Sequence, residues 1–552
     1  MLIYAAVFSA LLAPNIVLAV PTRRSSPAVT LDDAIFTGLS SGEVNKFLGI
    51  PYAQPPIGDL RFRLPQPIPP YNASDSMSAT AFGFSCPQQT GGNTPNVAAL
   101  PKSTVDFLLA SLSNTTTTDN ESCLTLNVVT PSSATSSSKL PVVIFIAGGG
   151  FTSGSSSTTD GSPVVERSMA LDEPIIYVSF NYRVSAFGFL ASKEVKEAGV
   201  GNLGLQDQRE AMRWVQKYIS EFGGDPTKVT IWGESAGSMS VGFHMVANDG
   251  DSEGLFRGAF MESGSPLQVG DITHGQPYFD AIVSETGCSS AADKLDCLRK
   301  VPYVTLVAAM NKSPGIYGSY QVSIIFTWPP RVDGNFITDN PQVLIAAGKV
   351  AAVPMISGDC DDEGTLFSLT TLNITTTAQF GQWLQTTWFP QAPASAVNRI
   401  LEMYPEDPTL GSPFNTGTNN SLTAQYKRIA AFQGDIVYQA TRRYLLNAQS
   451  GKQNIWSYLY KRYKDLAALG SLHASDNPDI YAGKALADYL INFVTNLDPN
   501  GDTNVPWPQY TTSSPNMLTF YDDPNALNVT QDTYREAQIA YLIELTLAHP
   551  IW

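Results

Sequence analysis

The apolar residues of this chain fall in short unbroken runs, several of them closed by glycine, and each run predicts an element. Leu140–Ala147 has no polar side chain and ends in Gly148-Gly149-Gly150, which predicts a strand buried on both faces, as in a parallel sheet. Leu124–Thr130 predicts a strand before it, and the serine-rich Pro131–Ser138 reads as the loop joining the two. Lys228–Trp232 is a β-branched run that stops at Gly233; Ser235 follows among small residues, and Met239–Val246 continues as a helix. Val353–Gly358 is a short apolar strand that runs into Asp359-Cys360-Asp361-Asp362-Glu363-Gly364. Val105, Leu108, Leu109 and Leu112 stand at i, i+3, i+4 and i+7, one face of a short amphipathic helix. Ser103, with Asp106 three residues later, predicts where that helix starts. Leu2–Val20 is almost wholly apolar, and Val17-Leu18-Ala19 has the small-residue spacing of a cleavage site, so residues 1–19 read as a secretory signal peptide.

Length and charge narrow the class. At 552 residues the chain exceeds the usual single core, which favours two to four domains. Yet no linker and no long repeat divides it, so residues 20–552 are expected to form one large α/β domain with insertions. The net charge of −16 argues against nucleic-acid binding, which needs a basic surface. Beyond the leader, no run is long enough for a stable membrane span.

Secretion changes how the cysteines read. Of five, Cys86, Cys123, Cys288 and Cys297 allow three pairings, the local one being simplest, and Cys360 is left over. Their spacing suggests no metal site. Sequons begin at Asn72, Asn114, Asn120, Asn311, Asn373, Asn419 and Asn528, as suits a secreted glycoprotein.

The chemistry concentrates around Gly233-Glu234-Ser235-Ala236-Gly237, a G-x-S-x-G turn between a strand and a helix. Such a turn strains the serine backbone, needs glycine at its flanks, and aims the next N–H and the helix N-terminus at one spot. The triplet Gly148-Gly149-Gly150, after the earlier strand, frees more backbone donors, and two of them, on Gly149 and Gly150, with Ala236 would make an oxyanion hole. A serine nucleophile needs a base, and there are four histidines. His244 lies about 13 Å further along the same helix and cannot fold back. His274 and His549 sit in unremarkable contexts. His473, in the small-residue loop Gly470–Asp476, is the expected base. The acid should lie between serine and histidine in the chain, where Asp359, Asp361, Asp362 and Glu363 all qualify on chemistry alone.

Longer motifs carry a resemblance. Phe222-Gly223-Gly224-Asp225-Pro226-Thr227 through Gly237, together with Phe47–Pro56, Asn181–Val184 and Gly201–Gln208, resemble the type-B carboxylesterase/lipase family of cholinesterase-like α/β-hydrolases, from about Pro27 to near the C-terminus. Asp362–Phe367, Gly411–Phe414, Asn496–Asn500 and the cysteine spacing are most similar to the fungal Candida rugosa-like lipases and sterol esterases. The resemblance implies an α/β-hydrolase fold: a large, mostly parallel central sheet flanked by helices, with a disulfide-tethered lid loop at residues 86–123. It implies Glu363 as the acid and His473 as the base, with oxyanion donors on Gly149, Gly150 and Ala236. It also implies disulfides Cys86–Cys123 and Cys288–Cys297 and an ion pair between Arg61 and Glu121. Leu366 and Phe367 would line an acyl tunnel, and Phe151 is expected to bind substrate with them. Ala147 stands where many relatives carry histidine, and Ser122 alters the stretch before Cys123.

These residues together point to a secreted, extracellular serine ester hydrolase, a lipase or sterol esterase cleaving acylglycerols and steryl esters through an acyl-enzyme, without cofactor or metal. Its partners are expected to be a lipid or ester at an oil–water interface and, through the apolar mouth, a second copy of the chain. The lid helix would present Val105, Phe107, Leu108, Leu109 and Leu112. The competing readings are a short-chain or aromatic carboxylesterase without interfacial activation, a protease or amidase, and a non-catalytic adhesion protein on the same fold.

Overall fold

The computed structural model describes residues 26–92, 95–111, 118–317, 327–502, 505–522 and 526–551. The leader, Leu112 and Asn114 lie outside these residues, as does the side chain of Leu109.

Eleven strands form the main sheet: β1 (Leu39–Ser41), β2 (Val44–Pro51), β3 (Thr125–Pro131), β4 (Leu140–Ile146), β5 (Ile176–Phe180), β6 (Gly224–Glu234), β7 (Gly258–Glu262), β8 (Met355–Cys360), β9 (Ile455–Tyr460), β10 (Asn516–Phe520) and β11 (Leu527–Gln531). Their order across the sheet is β11-β10-β9-β8-β7-β6-β4-β5-β3-β2-β1. The stretch from β10 to β5 is parallel, and both ends finish in antiparallel pairs. This is the expected α/β-hydrolase architecture. A small sheet of Ala28–Leu31, Ala34–Thr37 and Met77–Ser78 lies apart from it.

Strand β4 is apolar throughout because both of its faces are covered. Along β4, Val142, Ile144 and Ile146 enter one core, while Val143, Phe145 and the following Ala147 enter the other. Helices Leu203–Tyr218 and Ala236–Val246 contribute to the first core; Ser162–Ala170 and Ala485–Asn496 contribute to the second. A third, smaller cluster gathers Leu108, Leu366, Leu369, Leu469 and Leu472.

The predicted elements shift at their edges. The elbow helix begins at Ala236, directly after the serine, and β8 carries on to Cys360. The amphipathic helix spans Lys102–Ser111, so Ser103 lies inside its first turn and does not cap it. The Pro101 carbonyl takes the first amides, from Thr104 and Val105, and Asp106 pairs with Lys102 at 2.6 Å. Both expected disulfides form, Cys86–Cys123 and Cys288–Cys297, and Cys360 stays a buried thiol. Arg61 grips Glu121 with two hydrogen bonds, of 2.5 and 2.7 Å, at the base of the 86–123 loop.

Candidate active site

Ser235 occupies a sharp turn between β6 and its helix, at φ 57° and ψ −125°. Few L-residues adopt that conformation, so the surroundings must enforce it. They do so by leaving no room. A Cβ on Gly237 would come within 1.9 Å of the Ile146 carbonyl oxygen, and one on Gly233 within 2.3 Å of the Gly237 backbone. The Ser235 amide donates to the Glu262 carbonyl at the end of β7, which ties the turn to the next strand.

Two other strands deliver its partners. The loop after β8 places Glu363, and the loop after β9 returns His473. His473 Nε2 lies 2.7 Å from Ser235 Oγ, and its Nδ1 lies 2.5 Å from Glu363 Oε2. Glu363 Oε1 accepts the Cys360 amide at 2.6 Å. The other three acids of the cluster turn elsewhere. Asp359 meets Arg442 at 2.8 Å, and Asp361 and Asp362 meet Lys464 at 2.8 and 2.5 Å. Geometry therefore brings Ser235, His473 and Glu363 into one hydrogen-bonded line, the arrangement that lets an imidazole take a hydroxyl proton.

Burial works against a charged His473. The Glu363 carboxylate outweighs it through charge and hydrogen bond, with Glu234 and Asp476 adding, and the ring is raised to about 9. Glu234 itself is pushed up to about 7 by burial, and Asp476 to about 6 by burial and the Glu363 charge.

The glycine triplet lies against the serine. A Cβ on Gly148 would fall 2.9 Å from the Ser235 Cβ. Gly149 and Gly150 follow at φ 113° and 62°, and both line the cavity above Ser235. The loop's own hydrogen bonds, from Thr152 and Ser153, run to the Gly149 carbonyl. Ala236 is the first residue of the elbow helix, whose N-terminus carries partial positive charge.

The cavity holds about 570 Å³. Part of its lining is apolar: Phe107, Leu108, Ile316, Leu366, Phe367 and Leu472. The rest includes Ser153, Thr158, Thr159, Asp160 and Asn477. Phe367 stacks against Tyr317 and stands 5.3 Å from the His473 ring, as Tyr438 does at 4.9 Å. Phe151 does not join this lining. Its positive φ of 59° turns the ring into the core, edge-on to Phe189, and it is fully buried. Helix Lys102–Ser111 lies over the cavity: Leu108 is buried, Val105 and Phe107 half-buried, and Phe107 packs against Tyr463.

Five of the sequon asparagines, Asn72, Asn120, Asn373, Asn419 and Asn528, are exposed. Asn311 is half-buried, and its side-chain oxygen accepts the Thr90 amide at 2.8 Å. Sequence reasoning did not single out Glu234, Asp476, Tyr317 or Tyr438. Glu234 stands inside the quoted elbow motif, but nothing there shows that its side chain turns back to the imidazole. Among the described residues no helix is long and apolar enough to cross a membrane.

Comparison with known proteins agrees with this fold. The sequence profile described as the carboxylesterase family matches residues 25–542. Lipase 2 of Diutina rugosa is 42% identical over 510 residues, covering 89% of this chain and 91% of that protein. Secreted lipase 1 of Botryotinia fuckeliana is 40% identical over 543 residues, covering 94% and 93%. The crystal structure of Aspergillus niger EstA superposes with a TM-score of 0.79 at 29% identity, covering 96% of this chain and 99% of that one.

Proposed function

The chain belongs to the carboxylesterase family and is a carboxylic ester hydrolase, and from that premise we propose that it is an extracellular lipase acting on long-chain acylglycerols and steryl esters. The carrying observation is the Ser235–His473–Glu363 line at the floor of a largely apolar cavity covered by an amphipathic helix. His473 takes the Ser235 proton as Oγ attacks the ester carbonyl. Glu363 holds the ring and stabilises the imidazolium. The amides of Gly149, Gly150 and Ala236 receive the charge that develops on the carbonyl oxygen. His473 returns its proton to the leaving alcohol, an acyl-enzyme forms on Ser235, and water activated by the same imidazole releases the fatty acid.

The acyl chain lies along Leu366 and Phe367. Helix Lys102–Ser111 acts as a lid that withdraws at an oil surface. The apolar leader and the name of the Botryotinia relative support secretion. The test is a rate profile across acyl lengths with triglyceride and steryl ester compared side by side. The lipase reading expects emulsified long-chain esters to be cleaved fastest. Turnover confined to dissolved short-chain or aromatic esters would refute it and leave a plain esterase.

A further inference from the structure

Glu363 and the residue before it divide a task. Glu363 reaches the imidazole itself, while Asp362 reaches the loop that carries it. Asp362 is fully buried, and every hydrogen bond on its carboxylate ties chain together. Oδ1 accepts the Ser412 hydroxyl at 2.9 Å and the Phe414 amide at 2.8 Å. Oδ2 accepts the Ser471 amide at 2.9 Å and the Lys464 ammonium at 2.5 Å. The Asp362 amide in turn donates to the Ser471 carbonyl at 3.0 Å, and Asp362 bridges to Leu472 in parallel register. Ser471 stands two residues before His473, a span of at most about 7 Å of chain. Gly470 passes so close that a Cβ there would meet Asp362 Oδ2 at 2.4 Å, in a backbone with φ 58°. Lys464 bridges Asp362 to Asp361, so the clasp has a cation at its centre.

We propose that Asp362 is a positioning residue for His473: its carboxylate, neutralised by Lys464, fixes the 470–472 loop and through it the distance from imidazole to Ser235. This inference rests on the triad reading above. The catalytic line is short and buried, and a displacement of about 1 Å in such a site costs on the order of 100-fold in rate. Replacing the carboxylate with a neutral amide leaves Lys464 to Asp361 alone and weakens the hold on Ser471.

The test compares Asp362→Asn, Lys464→Met and Lys464→Arg on dissolved p-nitrophenyl butyrate, with active sites counted by phosphonate titration run to completion. The expected result for D362N is a fall in kcat per titrated site of about 10- to 100-fold with KM within about twofold. K464M should fall in the same sense. K464R should recover most of the rate, because a guanidinium can bridge two carboxylates. Wild-type kcat per titrated site in D362N, or a loss carried by KM, would overturn the inference. Should D362N fail to fold, K464M decides: a reduced kcat per site supports the clasp and an unchanged one overturns it. Wild-type protein inert on the ester would instead overturn the proposed function, so the two failures are distinct.

Discussion

Replacing Glu234 with glutamine should move the acidic limb of the pH–rate profile to lower pH. The reasoning begins with a distance. Glu234 Oε1 lies 3.5 Å from His473 Nε2 and has no hydrogen-bond partner among the described residues. At an effective dielectric of about 20, unit charges at that separation interact by roughly 5 kcal/mol. At about 1.4 kcal/mol per pH unit, that attraction alone could move a titration by several units. Glu234 takes up its own proton near 7, however, so below that pH the wild type already resembles the variant. The visible displacement is therefore about one to two pH units.

The sign follows from the active form. His473 works as a base only when neutral, and its pKa stands at about 9. Activity should therefore rise with pH through that value. Removing a neighbouring negative charge destabilises the imidazolium, lowers the pKa, and brings the neutral base in at lower pH. The assay is kcat/KM on a dissolved short-chain ester from pH 5 to 10, which reports the free enzyme's essential groups. In E234Q the limb should also sharpen toward a single proton, because a coupled carboxyl has been removed. A limb that stays in place, or moves to higher pH, would show that Glu234 does not act on His473 through its charge.

Ser235→Ala should abolish hydrolysis while leaving the melting temperature within a few degrees, and a serine-directed phosphonate should label wild type at Ser235 alone. Phe367→Ala should change the ratio of long-chain to short-chain rates by about tenfold, since the ring lines the cavity beside His473; a uniform loss at every chain length would assign it to packing alone. Cys360→Ser should keep more than half of the activity, because Glu363 is held by the Cys360 amide and not by its sulfur; loss of most of the activity would give the thiol a role in holding the acid. Leu108→Ser exposes a polar group on the buried face of the lid helix, where a leucine contributes about 1.5–3 kcal/mol; the rate jump at the substrate's solubility limit should shrink, and an undiminished jump would refute the lid.

The local parts of the site were legible because they depend on backbone constraints that sequence states directly. Gly233 and Gly237 stand where no side chain fits, and β4 reads as buried because both of its faces meet apolar cores. The acid was not legible from chemistry. Asp359, Asp361, Asp362 and Glu363 stand within five residues of one another, and distant partners, Arg442 and Lys464 among them, decide which carboxylate remains for the imidazole. Those partners lie on elements whose approach no local pattern encodes, so the assignment needed the family resemblance. Phe151 misled for a related reason: the residue follows the triplet in sequence, but its ring is buried in the core beside Phe189. The start of helix Lys102–Ser111 differs from the expected one because the Pro101 carbonyl, and not the Ser103 side chain, takes its first amides.

The segment from Tyr463 to Leu472 links the proposed lid helix to the base. It receives the lid through the Phe107–Tyr463 ring contact and the Thr104 hydroxyl, which donates to the Ala467 carbonyl at 3.1 Å. It also ends one residue before His473. Opening of the proposed lid would break those two contacts and draw Leu108 out of its cluster with Leu469 and Leu472, without disturbing an imidazole held at 2.7 Å from the nucleophile. The second anchorage of the loop makes that separation physical. Tyr426 donates to the Ala468 carbonyl at 2.9 Å, Thr365 to the Leu469 carbonyl at 2.8 Å, and Asp362 holds the Ser471 amide. All three come from the body of the protein, not from the lid. Losing the helix's hydroxyl bond, ring contact and leucine packing leaves these bonds intact, so the loop's position is set from below. The opening proposed at an oil surface would need this asymmetry, because the cover must detach and the base must not.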